Sequence, residues 1–177
     1  MNKPDSLRDV LLQAVPGLQK NPERLLMFID QGKVRCTAAA SLSFEYSYTL
    51  QMILTDFAGH PDSVMIPILS WLRVNQSELL VNLDKSAEGL KFEADMLDRS
   101  KVDLSLTLPL TERVIVTRRG GGGFDVSHAA EPQYESYGEQ GPVTLFADGE
   151  PLATWQTPAP PDSMTLVSPH PRRPARD

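Results

Sequence analysis

Apolar positions recur along the chain with two periods. Leu7, Val10, Leu11 and Ala14 fall at i, i+3, i+4 and i+7, one face of a helix. Asp5 or Ser6 is placed to cap its start, and Pro16-Gly17 to stop it. After Asn21-Pro22, the dense apolar stretch from Arg24 to Ile29 predicts a strand, and Asp30-Gln31-Gly32 a short hairpin turn. Val34, Cys36 and Ala38 then alternate with Lys33, Arg35 and Thr37, which puts Cys36 on the apolar side as a small buried hydrophobe.

The strongest strand signal runs from Phe44 to Thr55. Phe44, Tyr46, Tyr48, Leu50, Met52 and Leu54 share one face; Glu45, Ser47, Thr49, Gln51 and Thr55 share the other, interrupted by Ile53. At about 3.3 Å per residue this strand spans about 40 Å, long enough to project beyond the body and pair with another subunit. Val64 to Val74 reads as a helix with Met65, Ile68, Leu69 and Leu72 inward, Trp71 widening the stripe and Pro67 near its start or at a kink. It is apolar on nearly every side and calls for burial on more than one of them.

Phe92, Ala94 and Met96 alternate with Lys91, Glu93 and Asp95, which predicts an edge strand with an acidic outer face, extended by Asp98. Val102, Leu104, Leu106, Leu108 and Leu110 alternate with polar residues, and Pro109 points to an edge or a strand end. Arg113 to Arg118 leads into Gly120, Gly121, Gly122 and Gly123, and Phe124-Asp125-Val126 starts a return strand. Four consecutive glycines do not hold regular structure cheaply. No Lys-Ser/Thr follows them, so the run is a hairpin tip rather than a phosphate loop. Val143 to Phe146, Asp148-Gly149 and Leu152 to Trp155 form a second hairpin signal; a lone hairpin is marginal in water and has to dock on the body or on a partner.

These elements predict an α+β fold, a mixed or antiparallel sheet of long strands packed by two helices. They divide the chain into a body over 1–135, a docking hairpin over 136–156 and a disordered, proline-rich tail over 157–177. Six of the 15 prolines fall in that tail, which carries three arginines and two aspartates. Residues 1–156 hold 14 basic and 21 acidic side chains, so a mildly basic strip follows a body of net charge −7. That balance argues against nucleic acid as the main partner. The lone cysteine excludes an internal disulfide framework. A polar N-terminus and the lack of a long apolar run predict a protein made and kept in a cytosol, with no membrane contact.

The chemistry is sparse. His60, His128 and His170 are isolated, and no HExxH, CxxC or GxSxG occurs. Glu93 and Asp95 share a strand face, which suits a carboxylate pair, but a solvated acidic face explains them better. No metal, cofactor or catalytic residue is expected. Arg118, Arg119 and Gly120 to Gly123 form a candidate flexible contact loop. Phe57 and Trp71 are candidate subunit anchors, because aromatic residues are enriched at interface hot spots; for Trp71 the core is the simpler destination. Glu93, Asp95 and Asp98 form a candidate acidic face.

Four stretches carry a resemblance: MNKPDSLRDVLLQAVPGLQKNPERL, SLSFEYSYTLQMILTDFAGHPD, IPILSWLRVNQ and VDLSLTLPLTERVIV. Over roughly residues 1–135 the chain resembles the tail completion protein R family of Peduovirus-type contractile-tailed phages. The resemblance implies a small, non-enzymatic virion or assembly protein that caps the head-proximal end of a polymerised tube and sheath and readies it for the head. Its implied partners are the tail tube protein, the tail sheath protein, and the head-tail connector or other completion proteins. By analogy with tail terminators it implies a hexameric ring, DNA passing only through the lumen, and a place on the virion tail after assembly in the host cytoplasm. An assembly factor absent from the mature virion is the alternative. The family brings no assigned site residues.

Overall fold

The computed structural model describes residues 1–38, 41–96, 101–134, 141–157, 159 and 161–166. Helix α1 (Lys3–Ala14) is followed by a 3-10 turn (Pro22–Arg24), strands β1 (Leu25–Cys36) and β2 (Phe44–Phe57), and helix α2 (Asp62–Asn75). Two short helices, α3 (Glu78–Val81) and α4 (Leu83–Ala87), precede β3 (Lys91–Met96), β4 (Val102–Arg118) and β5 (Phe124–His128). The chain continues through β6 (Gln133–Tyr134), β7 (Gly141–Ala147), β8 (Glu150–Thr157) and β9 (Thr165–Leu166). The fold is α+β, as the two periodicities predict.

The main sheet has the order β1-β2-β4-β3, every pair antiparallel, with β5 also on β4. One face of it is the core. Tyr48, Leu50, Met52 and Leu54 of β2 lie beside Leu104, Leu106, Leu108 and Leu110 of β4, all buried under Leu7 and Leu11 of α1 and Val64, Ile68 and Leu72 of α2. Strand alternation supplies this face directly, because every second residue of both central strands is apolar. The β7–β8 hairpin packs against α1 and α2, where Ala153 and Trp155 bury against Ala14. Its turn holds Asp148 at φ 50° and Gly149 at φ 86°, the left-handed pair that a tight Asp-Gly hairpin requires. The hairpin therefore docks on its own body.

Several expectations change. Asp30-Gln31-Gly32 does not reverse the chain; β1 runs straight through it. Asp30 pairs with Thr49 and Lys33 with Ser47, so β1 carries one extra residue there, with Gln31 at φ 53°. This is a bulge, and it moves the core-facing set from Leu25, Met27 and Ile29 to Val34 and Cys36. Cys36 is exposed: its face is correct, but the helices do not cover that end of the sheet. Strand β2 is central and paired on both sides, so it offers no free edge to another subunit. In α2 the inward stripe is Val64, Ile68, Trp71 and Leu72, with Pro67 also buried and inside the helix, while Ile66 and Leu69 are exposed. No helix was expected over 78–87, where the Asn82 side chain caps α4 by accepting the Asp84 and Lys85 N–H groups. The tail is not wholly unpaired, since β9 lies parallel to β6 and the Gln133 N–H donates to the Met164 carbonyl at 2.8 Å.

Strand β4 is continuous over 17 residues with Pro109 in its middle. Its outer edge explains this. Strand β3 pairs with residues 102–107 and β5 with residues 114–118, leaving a gap between them. The Thr111 carbonyl and N–H face that gap, and by alternation so does the Pro109 nitrogen, where no ladder bond is lost.

Candidate assembly interface

Side chains fill the gap on β4. Lys3 Nζ donates to Gln76 Oε1 (2.6 Å), the Thr111 carbonyl (2.7 Å) and Glu131 Oε1 (2.8 Å). Gln76 Oε1 also accepts the Thr111 N–H, and Gln76 Nε2 donates to Thr111 Oγ1. Beside them Glu112, nearly fully buried, accepts the Tyr48 hydroxyl at 2.5 Å and the Asn2 N–H at 2.8 Å, and lies 3.0 Å from His128 Nδ1. The network joins α1, α2, β2, β4, the end of β5 and the segment after it.

Its ionisation follows from this arrangement. Burial works to raise the Glu112 carboxyl, but the Tyr48 hydroxyl, the Asn2 and Lys3 N–H groups and the N-terminal ammonium outweigh it and hold it below the ordinary glutamate value. Burial lowers Lys3, against the pull of Glu131. Burial and the adjacent Glu112 carboxylate push the Tyr48 phenol up. Sequence reading placed none of these residues in a site. The available signal was Glu112 itself, an acid at a position where the alternation of β4 demands an apolar residue.

The network borders a cleft of about 280 Å³ lined in part by Lys3, Glu112, His128 and Glu131. Lys3, Glu112, His128 and Glu131 each have a partner within the protein, and together they act as a clamp holding the N-terminus of α1 to the sheet. Among the described residues no cluster of three or more His, Cys, Asp or Glu side chains is placed to hold a metal ion. No helix among them is long and apolar enough to cross a membrane.

The predicted site residues separate into groups. Arg118, Arg119 and Gly120 to Gly123 form the exposed tip of the β4–β5 hairpin. Arg119 Nε pairs with Asp125 at 2.9 Å, and the Arg118 guanidinium lies 6.0 Å from the centre of the Phe124 ring. Phe57 and Trp71 are core residues, 7% and 5% exposed, and Trp71 Nε1 donates to Ser6 Oγ at 3.0 Å. Both are committed inside the protomer, so neither is a surface anchor. Glu93 and Asp95 are exposed on edge strand β3, on the sheet face away from the helices. Neither histidine of the described residues lies with them: His60 pairs with Asp62, and His128 with Glu112. Asp98 lies outside the described residues.

The sheet is thus bounded by β1 on one side and by β3 and β5 on the other, and a basic hairpin tip projects from its end. Comparison with known proteins gives this surface a context. The family described as P2 phage tail completion protein R (GpR) matches residues 1–132. Tail completion protein R of Escherichia phage P2 is 41% identical over 155 residues, covering 88% of this chain and 99% of the relative. No solved structure matches the chain. The matched span takes in both central strands, α1, α2 and Glu112, and the chain belongs to the P2 phage tail completion protein R family.

Proposed function

We propose that this protein closes the head-proximal end of a contractile phage tail, ending growth of the tube and sheath and presenting a surface that the head recognises. Tail tubes grow by head-to-tail contacts, which propagate until a subunit offers one matching face and a different one beyond it. The observation that carries the reading is the β4–β5 tip: Arg118, Arg119 and Gly120 to Gly123 stand clear of the core at the end of the sheet, exposed where an acidic neighbour can compete with Asp125 for Arg119. By analogy with tail terminators the working form is a hexameric ring, with DNA passing through its lumen. Its neighbours are the tube and sheath proteins below and the head-tail connector above. The reaction is assembly alone, without a chemical step.

Electron microscopy of tails produced without this gene tests the proposal. Tails of abnormal length, or tails of normal length that never carry heads, are expected. Normal particles with normal infectivity overturn it. Mass spectrometry of purified virions adds the stoichiometry: copies at ring number fit a resident cap, and absence assigns the protein to transient assembly.

A further inference from the structure

The two long borders of the main sheet are unlike each other, and they match. On β1, Ile29 and Val34 face the helix side of the sheet and are exposed, Val34 at 65%, while Lys33 faces the open side. On β3, Phe92 and Met96 face the helix side, Met96 at 84% exposure, while Glu93 and Asp95 face the open side. Both borders therefore expose apolar residues on the helix side; on the open side β1 carries Lys33 along with Leu26, Phe28 and Asp30, which accepts from Gln51, and β3 carries Glu93 and Asp95 along with Lys91, which pairs with Glu88. Lys33, Glu93 and Asp95 form no ion pair among the described residues.

Strand β3 is also in electrostatic conflict within the protomer. Asp95 sits directly across from Asp103, and like charges opposed on one sheet face destabilise the pairing. Among the described residues no strand pairs with the outer border of β1, which is 12 residues long, and Arg8 Nη1 donates to its Leu25 carbonyl at 2.9 Å. The bulge at Gln31 and Lys33 guard this border against indiscriminate pairing, while the exposed apolar residues on either side of them, Ile29 and Val34, leave it open to a matched strand.

We infer that β1 of one copy pairs with β3 of the next, so that the sheets of successive protomers join into one. This rests on the reading of the chain as a multi-copy assembly on the tail. Strand directions permit it. Because β1, β2, β4 and β3 alternate in direction, β3 runs opposite to β1. Copies related by rotation about an axis along the strands keep their directions, so the new pair is antiparallel like the rest. The join places Phe92 and Met96 on the side of Ile29 and Val34, and brings the Lys33 ammonium to the acidic face that Asp103 repels. Pairing β3 with β3 would double that acidic conflict, and pairing β1 with β1 would leave it in place. The contact is heterologous, the kind that closes into rings.

Crosslinking tests it. In a Cys36→Ser background, Lys33→Cys and Glu93→Cys are made singly and together, and treated with a short bismaleimide, both as free protein at high concentration and on isolated tails. Within one chain the two positions lie on opposite borders, about 14 Å apart across three strand spacings alone, and further along the strand direction. The double variant is expected to give a ladder of multimers in at least one setting, and the single variants none. A second arm uses charge: Lys33→Glu and Glu93→Lys each reduce multimers of the otherwise native chain, and combining them restores the wild-type level. No ladder in either setting overturns the pairing, as do dimers from Lys33→Cys alone or Glu93→Cys alone, which assign like borders to each other. Pelleting of the wild-type protein with tails is scored separately, so failure of the tail reading is distinct from failure of the strand pairing.

Discussion

The Glu112 carboxylate accepts the backbone N–H of Asn2 at 2.8 Å across a separation of 110 residues, so a central strand of the sheet caps the first helix. No side chain within the helix performs this role; Asn2 makes no side-chain cap bond, and Asp5 and Ser6 lie inside the first turn. A carboxylate at a helix N-terminus also meets the positive end of the helix dipole. The network therefore ties folding of α1 to completion of β4.

Replacing Glu112 tests that link. Loss of hydrogen bonds to a charged acceptor, with buried donors left behind, costs about 3 kcal/mol for Glu112→Ala and about half that for Glu112→Gln. The folded-state pKa of Glu112 lies below its ordinary value. Its contribution is thus fully present above the unfolded glutamate pKa of about 4.3 and is lost as the pH falls through the lower folded value. Urea unfolding is expected to show a gap between wild type and Glu112→Gln that is widest near neutrality and narrows on acidification below that range. A gap independent of pH would remove the charged carboxylate from the account.

Trp71 gives a separate test of where the aromatic residues belong. A side chain buried in the protomer supports the free protein, whereas an interface anchor supports only the complex. Trp71→Ala is expected to lower the unfolding free energy of the isolated protein by about 3–5 kcal/mol. Trp71→Phe, which keeps most of the volume and loses the bond to Ser6, costs about 1 kcal/mol. Denaturation of the free chain reads both, and an unchanged midpoint for Trp71→Ala would return the residue to an interface.

The elements legible in the sequence are those whose burial is set by one strong period. Leu50, Met52 and Leu54 of β2, Leu104 to Leu110 of β4, and Leu7 and Leu11 of α1 all reach the core their spacing predicts. The Asp148-Gly149 turn was legible because local backbone chemistry alone determines it. What escaped depends on long-range partners. A bulge and a hairpin turn share the same Gln-Gly signature, and only pairing with β2 distinguishes them at Gln31. Cys36 has an apolar alternation, but burial needs a covering helix, which ends elsewhere. Pro109 is allowed in mid-strand because the neighbouring strands stop on either side of it, a fact of topology. The polar clamp was invisible for the same reason: Lys3, Gln76, Thr111 and Glu131 come together only after folding.

The β7–β8 hairpin depends on its dock. A two-stranded hairpin has little independent stability, and Trp155 and Ala153 supply its buried contact with Ala14. Trp155→Ala is expected to free the hairpin while sparing the main sheet. Hydrogen exchange should then accelerate at the paired amides between 141 and 157 and stay slow in β2 and β4. Uniform acceleration across the protein would show that the hairpin is integral to the global fold.

The β4–β5 tip separates folding from assembly. The Arg119–Asp125 pair is exposed, and such pairs contribute about 0–1 kcal/mol; the exposed Arg118–Phe124 contact adds about 0.5–1 kcal/mol. Replacing both arginines by alanine is therefore expected to shift the unfolding midpoint only slightly. Gly122 and Gly123 adopt φ of 96° and 89° with open space around them, so alanine there meets no clash but incurs backbone strain of about 1–2 kcal/mol each. Deleting all four glycines takes away the reach of the tip and should leave the rest of the sheet intact. If the tip contacts an acidic partner, the double arginine variant and the glycine deletion both fold, yet fail to rescue head attachment in a phage lacking its own copy. Gly122→Ala folds with a small loss of stability and rescues. Full rescue by the arginine variant would reduce the tip to a passive turn, and rescue lost in step with stability across all three would place its role in folding.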